Sequence, residues 1–200
     1  MDQQTQLYLI LPAGAPAALL SDTLGAVLDR VPVACLRIPG AGDEDVLGRI
    51  ADMAREIAHA RDVAVVIEDH VRLAQRHGLD GVHLTDGARG VRAARKELGP
   101  DAIVGAFCGA SRHEGLNAGE AGADYVSFGP VGATALGRGD PAPPELFEWW
   151  SEMIEVPVVA EGALTRDLID GLSPVCDFIA IGAEIWAADD PAAALVALWG

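Results

Sequence analysis

The stretch VAVVIEDHVRLAQRHGLDGVHL, residues 63–84, decides the fold. It opens on VAVVIE (63–68), a continuous β-branched run without polar alternation, the pattern of a strand buried on both faces. Residues 69–77 follow with helical spacing, and GVHL (81–84) is again short and apolar. Strand, helix and strand in so short a span make a parallel βαβ unit with a right-handed crossover.

The alternation continues in both directions. Strands are expected at 7–11 (LYLIL), 33–38 (VACLRI), 102–107 (AIVGAF), 125–129 (YVSFG), 156–161 (VPVVAE) and 178–182 (FIAIG). Helices are expected at 16–30, 43–60, 87–98, 112–121, 143–154, 165–172 and 184–198. In 43–60, Val46, Leu47, Ile50, Met53, Ala54 and Ile57 share one face, and Asp43 and Glu44 suit the first turn. Asp189–Asp190–Pro191 predicts that the last helical stretch breaks and restarts. Eight alternations predict a single-domain (β/α)8 TIM barrel over residues 1–200. An open doubly wound sheet is the alternative, but it would gather its distinctive residues at one switch point. Here they follow strand ends throughout the chain. The loop 130–144 (PVGATALGRGDPAPP) is long, irregular and rich in Gly and Pro, as functional loops are.

The 14 Lys and Arg against 30 Asp and Glu give a formal charge of −16. Such a surface makes nucleic acid and anionic membrane poor partners. An anionic small molecule is still admissible, because backbone N–H groups can hold it locally. With Lys96 as the single lysine, a phosphate clamp must rest on backbone, Arg or metal. Three cysteines, Cys35, Cys108 and Cys176, sit in apolar runs without a C-x-x-C pair and read as buried reduced thiols. No apolar run reaches the roughly 18 residues of a membrane span. The opening MDQQTQLYLILPAG reads as a first strand rather than a signal peptide, so a cytoplasmic location is expected.

Four segments in order resemble the thiamine phosphate synthase and thiazole tautomerase superfamily. They are IEDH followed by GLDGVHL, AGADYVSFGPVGAT, VPVVAEGALT, and FIAIGAEIWAADDPAAAL. The resemblance spans roughly residues 31–197 and implies a barrel that joins a pyrimidine methyl pyrophosphate to a thiazole phosphate, releasing pyrophosphate. Charge that builds on the leaving group calls for Mg²⁺ and cationic or amide donors.

Carried over position by position, the resemblance implies the following site. Arg37 is retained from a Gln-Leu-Arg-x-Lys grip whose Gln and Lys have become Cys35 and Pro39; an ion pair is its other reading. Glu68 stands for an Asn, and Asp69 matches a metal-binding Asp or else caps a helix. Ala88 replaces a second metal ligand, for which Asp86 could substitute unless it too is a cap. Phe107 replaces a Ser. Gly129–Pro130–Val131 is intact, and Pro130 stands where tautomerases carry His, which speaks against that activity. Thr134 matches the loop Thr, and Arg138 falls near the loop Lys, either in its place or solvated. Gly162 and Ala163, with Ile181 and Gly182, stand where backbone amides hold a phosphate. Glu161 would oppose that phosphate unless paired or turned away. His83 reads as a hydrogen-bonded histidine of the barrel interior.

Three functions follow as expectations. The first is a synthase acting on phosphorylated small molecules, with Mg²⁺ bound weakly in the absence of substrate. The second is a catalytically impaired ligand-binding or regulatory barrel. The third is a barrel enzyme acting on a related phosphorylated molecule. Because the pyrophosphate grip relied on side chains and the cradle on amides, the cradle is expected to survive better. A homodimer is left open.

Overall fold

The computed structural model describes residues 4–133 and 141–200. Eight strands run β1 (Gln6–Ile10), β2 (Val33–Ile38), β3 (Ala64–Glu68), β4 (Gly81–Leu84), β5 (Ile103–Phe107), β6 (Tyr125–Phe128), β7 (Val158–Glu161) and β8 (Phe178–Ile181). All neighbours pair in parallel, and β8 pairs back onto β1, so the sheet closes as a barrel. The helices are α1 (Ala17–Leu28), α2 (Glu44–His59), α3 (Val71–Arg76), α4 (Val91–Leu98), α5 (Arg112–Glu120), α6 (Pro144–Met153), α7 (Arg166–Leu172), α8 (Ala183–Trp186) and α9 (Pro191–Trp199).

The strands read as unbroken apolar runs because both of their faces are covered. Leu7, Leu9, Leu36, Ile38, Val65 and Ile67 point outward into the layer shared with the helices. Tyr8, Cys35, Val66, Tyr125, Val159 and Ala180 fill the barrel interior. Asp43 caps α2 by accepting from Asp45 N, Ser111 caps α5 and Asp190 caps α9. The expected break after α8 falls at Asp189–Asp190–Pro191.

A three-fold device sits at the strand starts. Asp80, Asp124 and Asp177 precede β4, β6 and β8 and accept from the backbone N–H of Val65, Val104 and Val158, at 2.6, 2.7 and 2.8 Å. Each carboxylate stitches its strand to the preceding one below the sheet ladder. These N–H groups lie at strand starts, where ladder partners run out.

Boundaries differ from the sequence reading where turns intervene. Helix α3 starts at Val71 because Asp69 takes a left-handed φ of 56°. Helix α4 starts at Val91, after Gly87 turns at φ 70°. Its N-cap is Gly90, so the helix-cap reading of Asp86 does not hold. The N-cap of α3 is His70, so neither does that of Asp69. Strand β7 starts at Val158, one residue after Pro157, which has no N–H to give the ladder.

Candidate active site at the C-terminal mouth of the barrel

Parallel strands place all their C-terminal ends, and the loops that follow, at one end of the barrel. Inward-facing positions near that end carry Arg37 of β2, Glu68 of β3, His83 of β4, Ser127 of β6 and Glu161 of β7. The first three and Glu161 form one network. Arg37 Nη1 donates to Glu161 Oε2 at 2.8 Å, and Nη2 donates to Oε1 at 3.2 Å. The Nε–H lies 3.2 Å from Glu68 Oε1 but is not aligned for a hydrogen bond, so that contact is Coulombic. Glu68 also accepts from Gly40 N at 3.1 Å. A side chain at Gly40 would place its Cβ 2.7 Å from the Glu68 carbonyl oxygen, so this approach requires glycine.

The chain of donors continues inward. Arg37 Nη1 also lies 2.8 Å from His83 Nε2. A guanidinium only donates, so Nε2 must accept, and the proton sits on Nδ1. Nδ1–H then donates to Tyr125 Oη at 2.9 Å, and the Tyr125 and Tyr8 hydroxyls share a hydrogen bond of 2.8 Å. Burial, then the Arg37 charge, holds His83 well below the ordinary histidine range, so it stays neutral. Burial pushes both tyrosines well above theirs. Burial opposes the charge of Arg37, but the charge and hydrogen bond of Glu161 together with the two tyrosines outweigh it and keep the guanidinium ionised. Ser127, fully buried, is the inward hydroxyl whose Oγ has no partner in the described structure.

Asp69 lies one residue beyond β3. Its carboxylate accepts from Thr85 N at 2.9 Å and from Thr85 Oγ1 at 2.5 Å. It ties the β3 and β4 ends together, and its αL backbone is a strained conformation of the kind that gathers at functional sites. Asp86 is about half exposed, with Arg89 Nε 4.0 Å away. Phe107 ends β5 and is partly buried. Ile181 is fully buried and packs outward, toward the helices. Ala88, at the lost ligand position, packs against the core. Thr134 and Arg138 lie outside the described residues.

On the other side of the mouth, a cavity of about 580 Å³ is walled by Ile10, Pro12, Pro39 and Trp186, with Glu161 and Glu184 as its acidic residues. Gly162 and Ala163 turn through φ 89° and 54° at its edge. The half-buried Glu184 accepts from Leu164 N at 3.0 Å and from Gly182 N at 2.8 Å. The amides after β7 and β8, expected to cradle a phosphate, are thus partly taken by a carboxylate of the chain itself. The sequence reading passed over Glu184, although an acidic residue two positions after strand eight was there to be weighed.

No group of three or more His, Cys, Asp or Glu side chains among the described residues could hold a metal ion. Both oxygens of Asp69 are engaged by Thr85, and Glu68 by Gly40 and Arg37. The described residues therefore do not form a ready magnesium cage, which would need near-octahedral oxygen donors.

Comparison with known proteins gives the following. Residues 7–187 match the family TMP-TENI, thiamine monophosphate synthase. The thiamine-phosphate synthase of Rhodospirillum centenum is 43% identical over 187 residues, covering 90% of this chain and 89% of the relative. That of Erythrobacter litoralis is 41% identical over 197 residues, covering 94% and 92%. Among solved structures, a thiamine phosphate pyrophosphorylase from Pyrococcus furiosus superposes with a TM-score of 0.83, at 23% identity, over 99% of this chain and 95% of that one. A 3-hexulose-6-phosphate synthase superposes at 0.69 with 17% identity, which is likeness of fold alone.

Proposed function

Because the chain belongs to the thiamine monophosphate synthase family, we propose that it joins a pyrimidine methyl pyrophosphate to a thiazole phosphate at the open end of its barrel, with release of pyrophosphate. The observation that carries this reading is the 43% identity held across nine-tenths of both chains, with the motif residues at strand ends. The thiazole nitrogen would attack the methylene carbon as the bond to pyrophosphate oxygen breaks, so negative charge grows on the leaving group.

What the chain's own residues do follows from the network. Arg37 is a permanent cation at the mouth, held in place by Glu161, Glu68 and His83. A pyrophosphate reaching it competes with Glu161, so the leaving group is stabilised only to the extent that this pair loosens. The apolar walls around Ile10, Pro39 and Trp186 exclude water from the reacting centre. We propose that Asp69, once released by Thr85, would hold a magnesium ion bound to the pyrophosphate, and that the ion would offset the charge of the leaving group. Among the described residues no helix is long and apolar enough to cross a membrane. For a biosynthetic family of this kind we propose a cytoplasmic location.

A second reading, a barrel that binds its ligands but couples them slowly, is favoured by one observation. Arg37, the cation for the pyrophosphate, is already neutralised by Glu161. The experiment is a coupling assay with both substrates and Mg²⁺, following pyrophosphate release and product mass. Turnover supports the synthase; binding of both substrates without turnover supports the second reading.

A further inference from the structure

Glu161 has two faces. It closes β7 from inside the barrel, where it receives the fork of Arg37 at 2.8 and 3.2 Å. It also lines the cavity of about 580 Å³, beside the carbon surface of Ile10, Pro39 and Ala180. A carboxylate offers about four lone-pair sites, and the fork takes one on each oxygen. The other polar groups of the network are not placed to read a ligand. Both ring nitrogens of His83 are engaged, by Arg37 and by Tyr125, and the ring is 1% exposed. Arg37 can only donate. A flat ring seated against the carbon walls therefore meets one kind of partner in Glu161, an acceptor that calls for an N–H or O–H.

We propose that Glu161 is a specificity-determining residue of the pyrimidine half-site: its carboxylate accepts an N–H from an amino group on the ring carbon beside the one that carries the methyl pyrophosphate. The inference rests on the synthase reading for the identity of the ring. The adjacency follows from the contact between Glu161 and Arg37. A pyrophosphate drawn to the guanidinium and a donor read by the carboxylate must leave the ring side by side. The two substituents then work together. As the pyrophosphate draws Arg37 away, Glu161 loses donors that it cannot leave unreplaced in a largely buried place. The amino group supplies the replacement. A pyrimidine without that N–H would open the ion pair and leave the carboxylate stripped, so the site rejects it.

The test titrates the wild type, Glu161→Leu and Glu161→Gln by calorimetry, with Mg²⁺ present. The probes are the aminopyrimidine methyl pyrophosphate, its analogue with hydrogen in place of the amino group, and inorganic pyrophosphate. The wild type is expected to bind the amino compound about tenfold or more tightly than the analogue, the worth of one charge-assisted hydrogen bond. Glu161→Leu should bind the two alike and, with Arg37 released, should bind inorganic pyrophosphate more tightly than the wild type does. A general loosening of the barrel would not move these two affinities in opposite directions. Glu161→Gln keeps the shape and a neutral acceptor and serves if the leucine variant folds poorly; it should retain a reduced preference. Equal binding of the two pyrimidines by the wild type, or a preference unmoved in the variants, overturns the proposal. Coupling to the thiazole phosphate is followed in parallel. The expected preference without coupling overturns the synthase reading alone, and coupling without the preference overturns the role of Glu161 alone. Failure of the wild type to bind either pyrimidine overturns both.

Discussion

Arg37 and Glu161 meet fork to fork across the mouth of the barrel, from strands β2 and β7, which are not neighbours in the sheet. Their side chains are only 6% and 14% exposed, so water screens the pair little. Glu161→Gln would leave Arg37 with Glu68 as its single counter-ion among the described residues. The expected cost is about 3 kcal/mol of stability, because a buried charge loses its partner. Urea denaturation measures it, and inorganic pyrophosphate should restore part of the loss by binding the released guanidinium. Unchanged stability would show that the pair is not the anchor its geometry describes.

The neutral state of His83 sets a pH dependence. Its folded value lies well below the ordinary 6.5. Below that pH the unfolded chain takes up a proton that the folded barrel refuses, so the unfolded state binds more protons. The contribution of His83 is therefore complete above about pH 6.5 and is lost as pH falls, by up to about 1.4 kcal/mol per unit. Stability measured between about pH 7.5 and 5.5 should fall more steeply in the wild type than in His83→Gln. Parallel curves would mean that His83 protonates in place.

The two interior tyrosines should act as a unit. Tyr125→Phe strands the Nδ1–H of His83 and is expected to cost about 1–3 kcal/mol, the penalty of an unsatisfied buried donor. Tyr8→Phe removes only the hydroxyl partner of Tyr125, leaves the His83 bond intact and should cost less. The double variant should show a coupling of about 1 kcal/mol. Strict additivity would mean that the 2.8 Å contact contributes nothing.

Magnesium alone should bind weakly, with a dissociation constant on the order of millimolar, because Asp69 must give up Thr85 to reach a metal. Added inorganic pyrophosphate should tighten it, and Asp69→Asn should abolish the tightening. Micromolar binding to the free protein in calorimetry would overturn this.

The strand pattern was legible because burial on both faces leaves unbroken apolar runs, and VACLRI and GVHL match β2 and β4 residue for residue. The βα turns were not, since Asp69 and Gly87 leave the helical region through backbone angles that side-chain periodicity does not encode. Arg37 was singled out as an anion anchor or an ion pair, but its partner Glu161 lies 124 positions away, and only barrel closure brings them together. The stitching by Asp80, Asp124 and Asp177 was present in the sequence as an Asp before each of three strands. It passed unread because an acidic residue at a loop end looks like solvated surface. Glu184 was missed for the same reason. The cradle was judged by its backbone amides without asking which side chain the next turn folds onto them.

Closure of the sheet through β1 and β8 has a consequence for synthesis of the chain. Strand β1 ends at Ile10, and its second partner begins only at Phe178. At translation rates of about 5–20 residues per second, the nascent chain carries one naked flank of β1 on the order of ten seconds or longer. That flank cannot be covered by anything the ribosome has yet made from this sheet, and unpaired edges recruit neighbours. The barrel is thus sealed as a late, ribosome-distal event, and the interval before it is when a holding chaperone would matter most.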